Sequence, residues 1–139
     1  MINCNETVTV FNARVDPETG GKAWMPTVIE GAGWFMTDAT AVDAARGGLT
    51  AADRCVIRIP EGADAGGKAF VDPLAYASAE SVAGLWTLAN GDVVVRGAVT
   101  GAAWTPAALK RAFADCVTVL SVTDNMRAPM ARHWRVVGA

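Results

Sequence analysis

Histidine and tyrosine each occur once in this 139-residue sequence, and cysteine three times. Cys4, Cys55 and Cys116 stand far apart, no CxxC pair exists, and only His133 is available to complete a ligand set. Protein metal centres gather several such residues at characteristic short spacings, so no metal site and no cofactor are expected. Two of the cysteines open apolar, strand-like runs. They read as buried free thiols, with a reducing compartment as the default expectation. Any Ser-His-Asp or Cys-His device would have to use His133, close to the chain end between Arg132 and Trp134. A lone histidine there is expected to pack or to meet a partner.

Charge is scarce as well. Charged residues make up 19%, the net charge is -2 and the isoelectric point is about 5.3. Without a global positive field, nucleic acid would have to be held by a local basic patch. The C-terminal stretch Arg127, Arg132, His133 and Arg135 is the only candidate. It is small for a phosphate backbone and reads first as a solvated edge or an interface to an acidic neighbour. No apolar run approaches a membrane span. Met1–Glu6 does not combine a basic region with a following apolar stretch, so neither a secretory signal nor a membrane role is expected.

What is abundant is apolar side chain, 52% of the sequence, including five tryptophans. The length fits one domain, residues 1–139, with a core that needs no staple. For a monomer the composition is adhesive, which points to a partner or to self-association.

The elements read as mainly β. Thr7–Val15 roughly alternates apolar and polar and predicts a strand, followed by a turn at Asp16–Gly21. Lys22–Ile29 and Gly31–Met36 read as two extended segments. Pro26 marks the first as broken or at an edge, and Gly31 and Gly33 predict a bulge or sharp bend. Residues 38–53 read as a short helix or a long loop with a strand in it. Cys55–Pro60 is a strand, Glu61–Lys68 a loop, and Asp72-Pro73 caps a helical turn. Gly84–Ala89 and Asp92–Gly97 flank Asn90-Gly91, the favoured two-residue turn of an antiparallel hairpin. Thr105 caps a helix that starts with Pro106 and runs to about Phe113. Val117–Thr123 and Arg132–Val137 complete the strands. The resulting class is a small antiparallel β-barrel or sandwich with one or two short helices.

One stretch imitates a phosphate-binding loop. Gly62-Ala63-Asp64-Ala65-Gly66-Gly67-Lys68 satisfies GxxxxGK, but Ala69 stands where Ser or Thr should hold magnesium. Pro73 also opposes a helix starting at the lysine. The stretch is read as a plain loop, and no catalytic residue is assigned anywhere. Trp34 and Trp86 lie inside strand-like runs and are expected in the core. Trp104, ahead of a helix cap, is expected to act as a hydrophobic staple. Trp24 and Trp134 are the better candidates for a partner surface. Together with Met126, Arg127, Met130, Arg132, His133 and Arg135, which belong to or border a longer loop, they form the candidate interface.

An ordered set of motifs spans nearly the whole chain: Thr7-Val8-Thr9-Val10-Phe11-Asn12, the Trp34 segment, Ile57-Arg58-Ile59-Pro60, Gly67–Pro73, Trp86-Thr87-Leu88 with Asn90-Gly91-Asp92, Val119–Asn125 and His133–Gly138. The set resembles an uncharacterised family of small prophage proteins of Gram-positive bacteria. Met126 and Met130 depart from the more polar residues of that pattern. The resemblance implies a minor capsid or head–tail connector protein: a stopper- or adaptor-like β-barrel that forms a homo-oligomeric ring. Its partners would be portal and adaptor or tail proteins, with DNA in the channel. The protein would be found in the virion, and in the host cytoplasm during assembly. No catalysis comes with the resemblance. A tail terminator or other tail-side component, and a small nucleic-acid-binding barrel, are the alternatives. Salt-insensitive or absent DNA binding would count against the latter.

Overall fold

The computed structural model describes residues 4–37, 54–101 and 103–139. The expectation for residues 38–53 lies outside them. Among the described residues ten elements follow in chain order: strands β1 (Glu6–Val15), β2 (Lys22–Thr37), β3 (Arg54–Pro60) and β4 (Ala69–Phe70), helix α1 (Pro73–Ser78), strands β5 (Leu85–Trp86) and β6 (Val93–Arg96), helix α2 (Pro106–Ala112), and strands β7 (Cys116–Asp124) and β8 (His133–Gly138). Six strands close into an antiparallel barrel in the order β1-β2-β3-β8-β7-β6, with β6 pairing back onto β1. The mainly β expectation, with a small barrel and two short helices, holds.

Local chemistry explains the helix boundaries. Asp72 accepts a hydrogen bond from the Ala75 N–H and Pro73 opens α1. Thr105 accepts from the Ala108 N–H and Pro106 opens α2. Both are short polar N-caps followed by a proline whose missing N–H would have been unsatisfied anyway.

The segment from Lys22 to Thr37 is one continuous sixteen-residue strand, not two. Pro26 does not break it. Here β2 has a ladder partner on one side only, β1, because β3 joins it further along, at Gly33–Thr37. Proline on such an edge forfeits no ladder bond. The expected bulge is real. Gly31 adopts φ +90, and the β1 register steps from Glu6 opposite Ala32 to Thr7 opposite Glu30. The extra residue bends the strand so that one element serves two different walls of the barrel.

The Asn90-Gly91 hairpin does not form. β5 pairs in parallel with β4, and β6 pairs with β1 and β7. Two buried side chains divert the backbone. Asn12 accepts from the Thr87 N–H (3.2 Å) and donates through Nδ2 to the Thr87 carbonyl (2.6 Å), as a strand partner would. Asp92 accepts from Asn12 Nδ2 (2.8 Å) and from the N–H groups of Ala13 (3.1 Å) and Ala89 (3.1 Å). The chain before the turn is thus tied to β1 and the turn itself, with no ladder left for β6.

The barrel is filled by Val8, Val10, Ile29, Trp34, Ile57, Ile59, Trp86, Leu88, Val119, Trp134 and Val136, among others. A second cluster lies outside the wall, where Leu109 of α2 meets Phe11, Val93, Val95 and Val99, with Trp24, Trp104 and Phe113 around them. This explains why Val93-Val94-Val95 is buried on both faces. Trp104 packs on this cluster and lies against the ring of Phe113, the residue that caps the C-terminal end of α2.

Candidate interaction surface

The eight residues singled out from sequence divide into four groups. Trp134 is a correction. It is 9% exposed and packs inside the barrel, 4.3 Å from the Phe70 ring centroid and 5.3 Å from that of Trp86. It is not a surface anchor. The cause is strand alternation: Trp134, Val136 and Gly138 point inward, and His133, Arg135 and Val137 lie on the less buried face. Met126 is half-buried and packs against the same core. Trp24 is half-buried against the second cluster, on the part of β2 opposite Ala13, and is not gathered with the C-terminal residues.

Arg127, Met130 and Arg132 remain on the β7–β8 loop. Met130 is 82% exposed, and both arginines are exposed. The loop is internally braced. Asp124 accepts from the Met126 N–H (2.8 Å), and Arg132 donates through Nε to the Ala128 carbonyl (3.0 Å). The His133 ring spans the loop, with Nδ1 2.7 Å from the Ala131 carbonyl and Nε2 3.3 Å from Asn125 Nδ2. A proton on Nδ1 satisfies both, since that nitrogen then donates and Nε2 accepts from the amide. Ala131 sits at φ +53, a left-handed conformation that a non-glycine residue holds only when its surroundings impose it. The histidine therefore shapes a loop.

Arg135 projects from the outer face of β8, directly opposite Arg58 of β3. The guanidinium of Arg58 lies 5.4 Å from the centroid of the Phe35 ring. Among the described residues no carboxylate pairs with either arginine, whereas Arg96 meets Glu6 (2.6 Å) and Asp115 (3.5 Å). Arg58 was not singled out from sequence. It alternates correctly within Ile57-Arg58-Ile59, but its position opposite Arg135 is a long-range register that one strand does not encode.

Beneath the Gly62–Lys68 loop is a cavity of about 330 Å³, lined by Ile59, Glu61, Lys68, Phe70, Trp86 and Trp134 among others. The loop does not have phosphate-binding geometry. It enters β4, not a helix. The Lys68 ammonium is already held by the Pro26 carbonyl (2.8 Å) and the Thr27 hydroxyl (3.0 Å), and burial lowers its pKa. The three aromatic rings pack against one another, Trp86 edge-on to both Phe70 and Trp134, and belong to or pack on the barrel core. Among the described residues no group of three or more His, Cys, Asp or Glu side chains is placed to hold a metal ion.

The remaining perturbed groups are structural. Burial pushes the Cys55 thiol and the Tyr76 phenol up to about 12 each. Burial also raises the Asp92 carboxyl, against the hydrogen bonds from Asn12, Ala13 and Ala89 that favour its charged form.

The sequence matches, over residues 2–139, a family described as a family of unknown function, DUF6751. No curated protein and no solved structure matches the chain.

Proposed function

The chain belongs to this family of unknown function, and we propose that it is a non-catalytic structural protein of a phage or prophage head–tail junction, stopper- or adaptor-like. The observation that carries the reading is a closed barrel that presents a braced loop. The β7–β8 loop is fixed by His133 and Arg132 yet exposes Met130, Arg127 and Arg132 on a rigid body. An exposed methionine flanked by arginines on a preorganised loop suits docking to another protein, because little ordering entropy is left to lose on binding. The prophage resemblance of the ordered motifs supplies the context. Among the described residues the helices run to only six and seven residues, which gives no support to the tail-terminator alternative, with its call for more helix packed on one sheet.

The test is co-assembly. Purified chain is mixed with the portal and adaptor proteins of its own locus and sedimented. The reading expects the chain to travel with the portal complex, and Met130→Glu to lower the bound fraction at least about tenfold, as for a buried apolar anchor. Wild-type chain that stays at the top of the gradient with every portal and adaptor preparation would contradict it.

A further inference from the structure

Arg58 and Arg135 face each other across the β3–β8 ladder, and the flanking row of the same register joins Phe35, Val56 and Val137. Like charges directly opposite one another weaken an antiparallel pair. Here no carboxylate among the described residues relieves them. The face therefore combines an apolar strip with two guanidinium groups, a pattern that asks for a partner carrying an apolar centre and carboxylates.

The same chain carries such a surface elsewhere. Where β1 turns into β2, Val15 is 57% exposed. A groove of about 280 Å³ is lined there by Val15, Pro17, Met25 and Val82, with the carboxylates of Asp16 and Glu80. Glu18 is exposed on the adjoining turn. Arg14 also lines this groove, but its guanidinium donates to the Ala79 carbonyl. Both surfaces border β2, the groove at Ala23–Met25 and the arginine face at Gly33–Phe35. At roughly 3.3 Å per residue the two lie up to about 40 Å apart along the strand. One rigid copy cannot bring them together, whereas two copies can.

We propose that the Arg58–Arg135 face of one copy docks into the Asp16–Glu80 groove of a second copy. The contact is heterologous, with different patches meeting, so repetition gives a closed ring or an open filament. A phosphate backbone fits less well, since it offers nothing to the Phe35–Val56–Val137 strip and the chain as a whole is acidic. This contact deepens the head–tail reading by naming the self-interface a ring needs, but its evidence is independent of it.

The experiment is sedimentation velocity of the full chain over a concentration series at low and high salt. Wild type is expected to associate with rising concentration, and salt is expected to weaken that association because exposed charges are screened. Arg58→Glu with Arg135→Glu, and separately Glu18→Lys with Glu80→Lys, are each expected to weaken association at least about tenfold, since like charges then meet. Mixing the two variants is expected to restore it, because each contact between unlike variants again joins opposite charges. Wild type that remains monomeric throughout overturns the proposal. So does association that both reversals leave unchanged, or a mixture that stays as weak as its components. Monomeric wild type that instead binds duplex DNA through Arg58 and Arg135 also overturns it and assigns the face to phosphate. Self-association in a chain that never joins a portal complex would overturn the head–tail reading alone, and the converse would overturn this contact alone.

Discussion

At the scale of single residues, Asn12 and Asp92 decide the most. Both are buried, and between them they hold Thr87, Ala89 and Ala13 by backbone hydrogen bonds. Removing one partner from a buried polar network leaves donors and acceptors without water or protein to meet them. Asn12→Ala is therefore expected to destabilise the fold by about 2–4 kcal/mol, measured by urea denaturation. Asp92 also gives a signed pH effect. Its folded pKa lies above its ordinary value, so folding favours the protonated carboxyl. That contribution is fully present below the ordinary carboxylate pKa and is lost as pH rises through the raised folded value. Wild-type stability relative to Asp92→Asn should therefore rise as pH falls from neutral into the acid range. A difference that is flat, or that shrinks on acidification, would contradict the assignment. Cys55, wholly buried with its thiol pushed up to about 12, should resist alkylation at pH 8 until the protein unfolds, as read by mass spectrometry.

The elements were legible from sequence to the extent that their signals were local. Strands β1, β3, β7 and β8 follow alternation and β-branched content, and both helices follow their Asp-Pro and Thr-Pro starts. The Asn90-Gly91 hairpin was not legible. Its turn chemistry is sound, but Asn12, some seventy-five residues away in sequence, takes the backbone bonds that the hairpin needed. Of the two readings of Pro26, the edge position holds and the break does not, and only the assembled sheet decides between them. Trp134 could have been placed correctly: Trp134 and Val136 share one strand face, and an apolar pair in phase belongs inside. Its removal tests this directly. Trp134→Ala is expected to lose about 3–5 kcal/mol, as for a large aromatic truncated in a core. Leu109→Ala, which detaches α2 from the Phe11–Val93–Val95 wall, is expected to lose about 2–5 kcal/mol. Thr105→Ala at the cap of the same helix should lose only about 1 kcal/mol. The three values, from denaturant titrations, should keep that order between core and cap.

Across the whole molecule, the candidate site was legible in part. The C-terminal loop and its arginines were visible as a basic, proline-containing interruption between strands. The Arg58–Arg135 pair was not, because it exists only in the register of a closed barrel. What emerges is a barrel whose buried titratable groups serve packing and whose exposed chemistry, a braced methionine loop and an unrelieved arginine pair, faces outward. On the proposed head–tail reading, such a molecule works by being held between neighbours, and those neighbours should be encoded beside it. The most direct measurement is the gene order around the coding sequence. Portal, major capsid and tail-tube genes are expected in the same cluster, with this gene between the head and tail groups. A locus without any phage genes would contradict it.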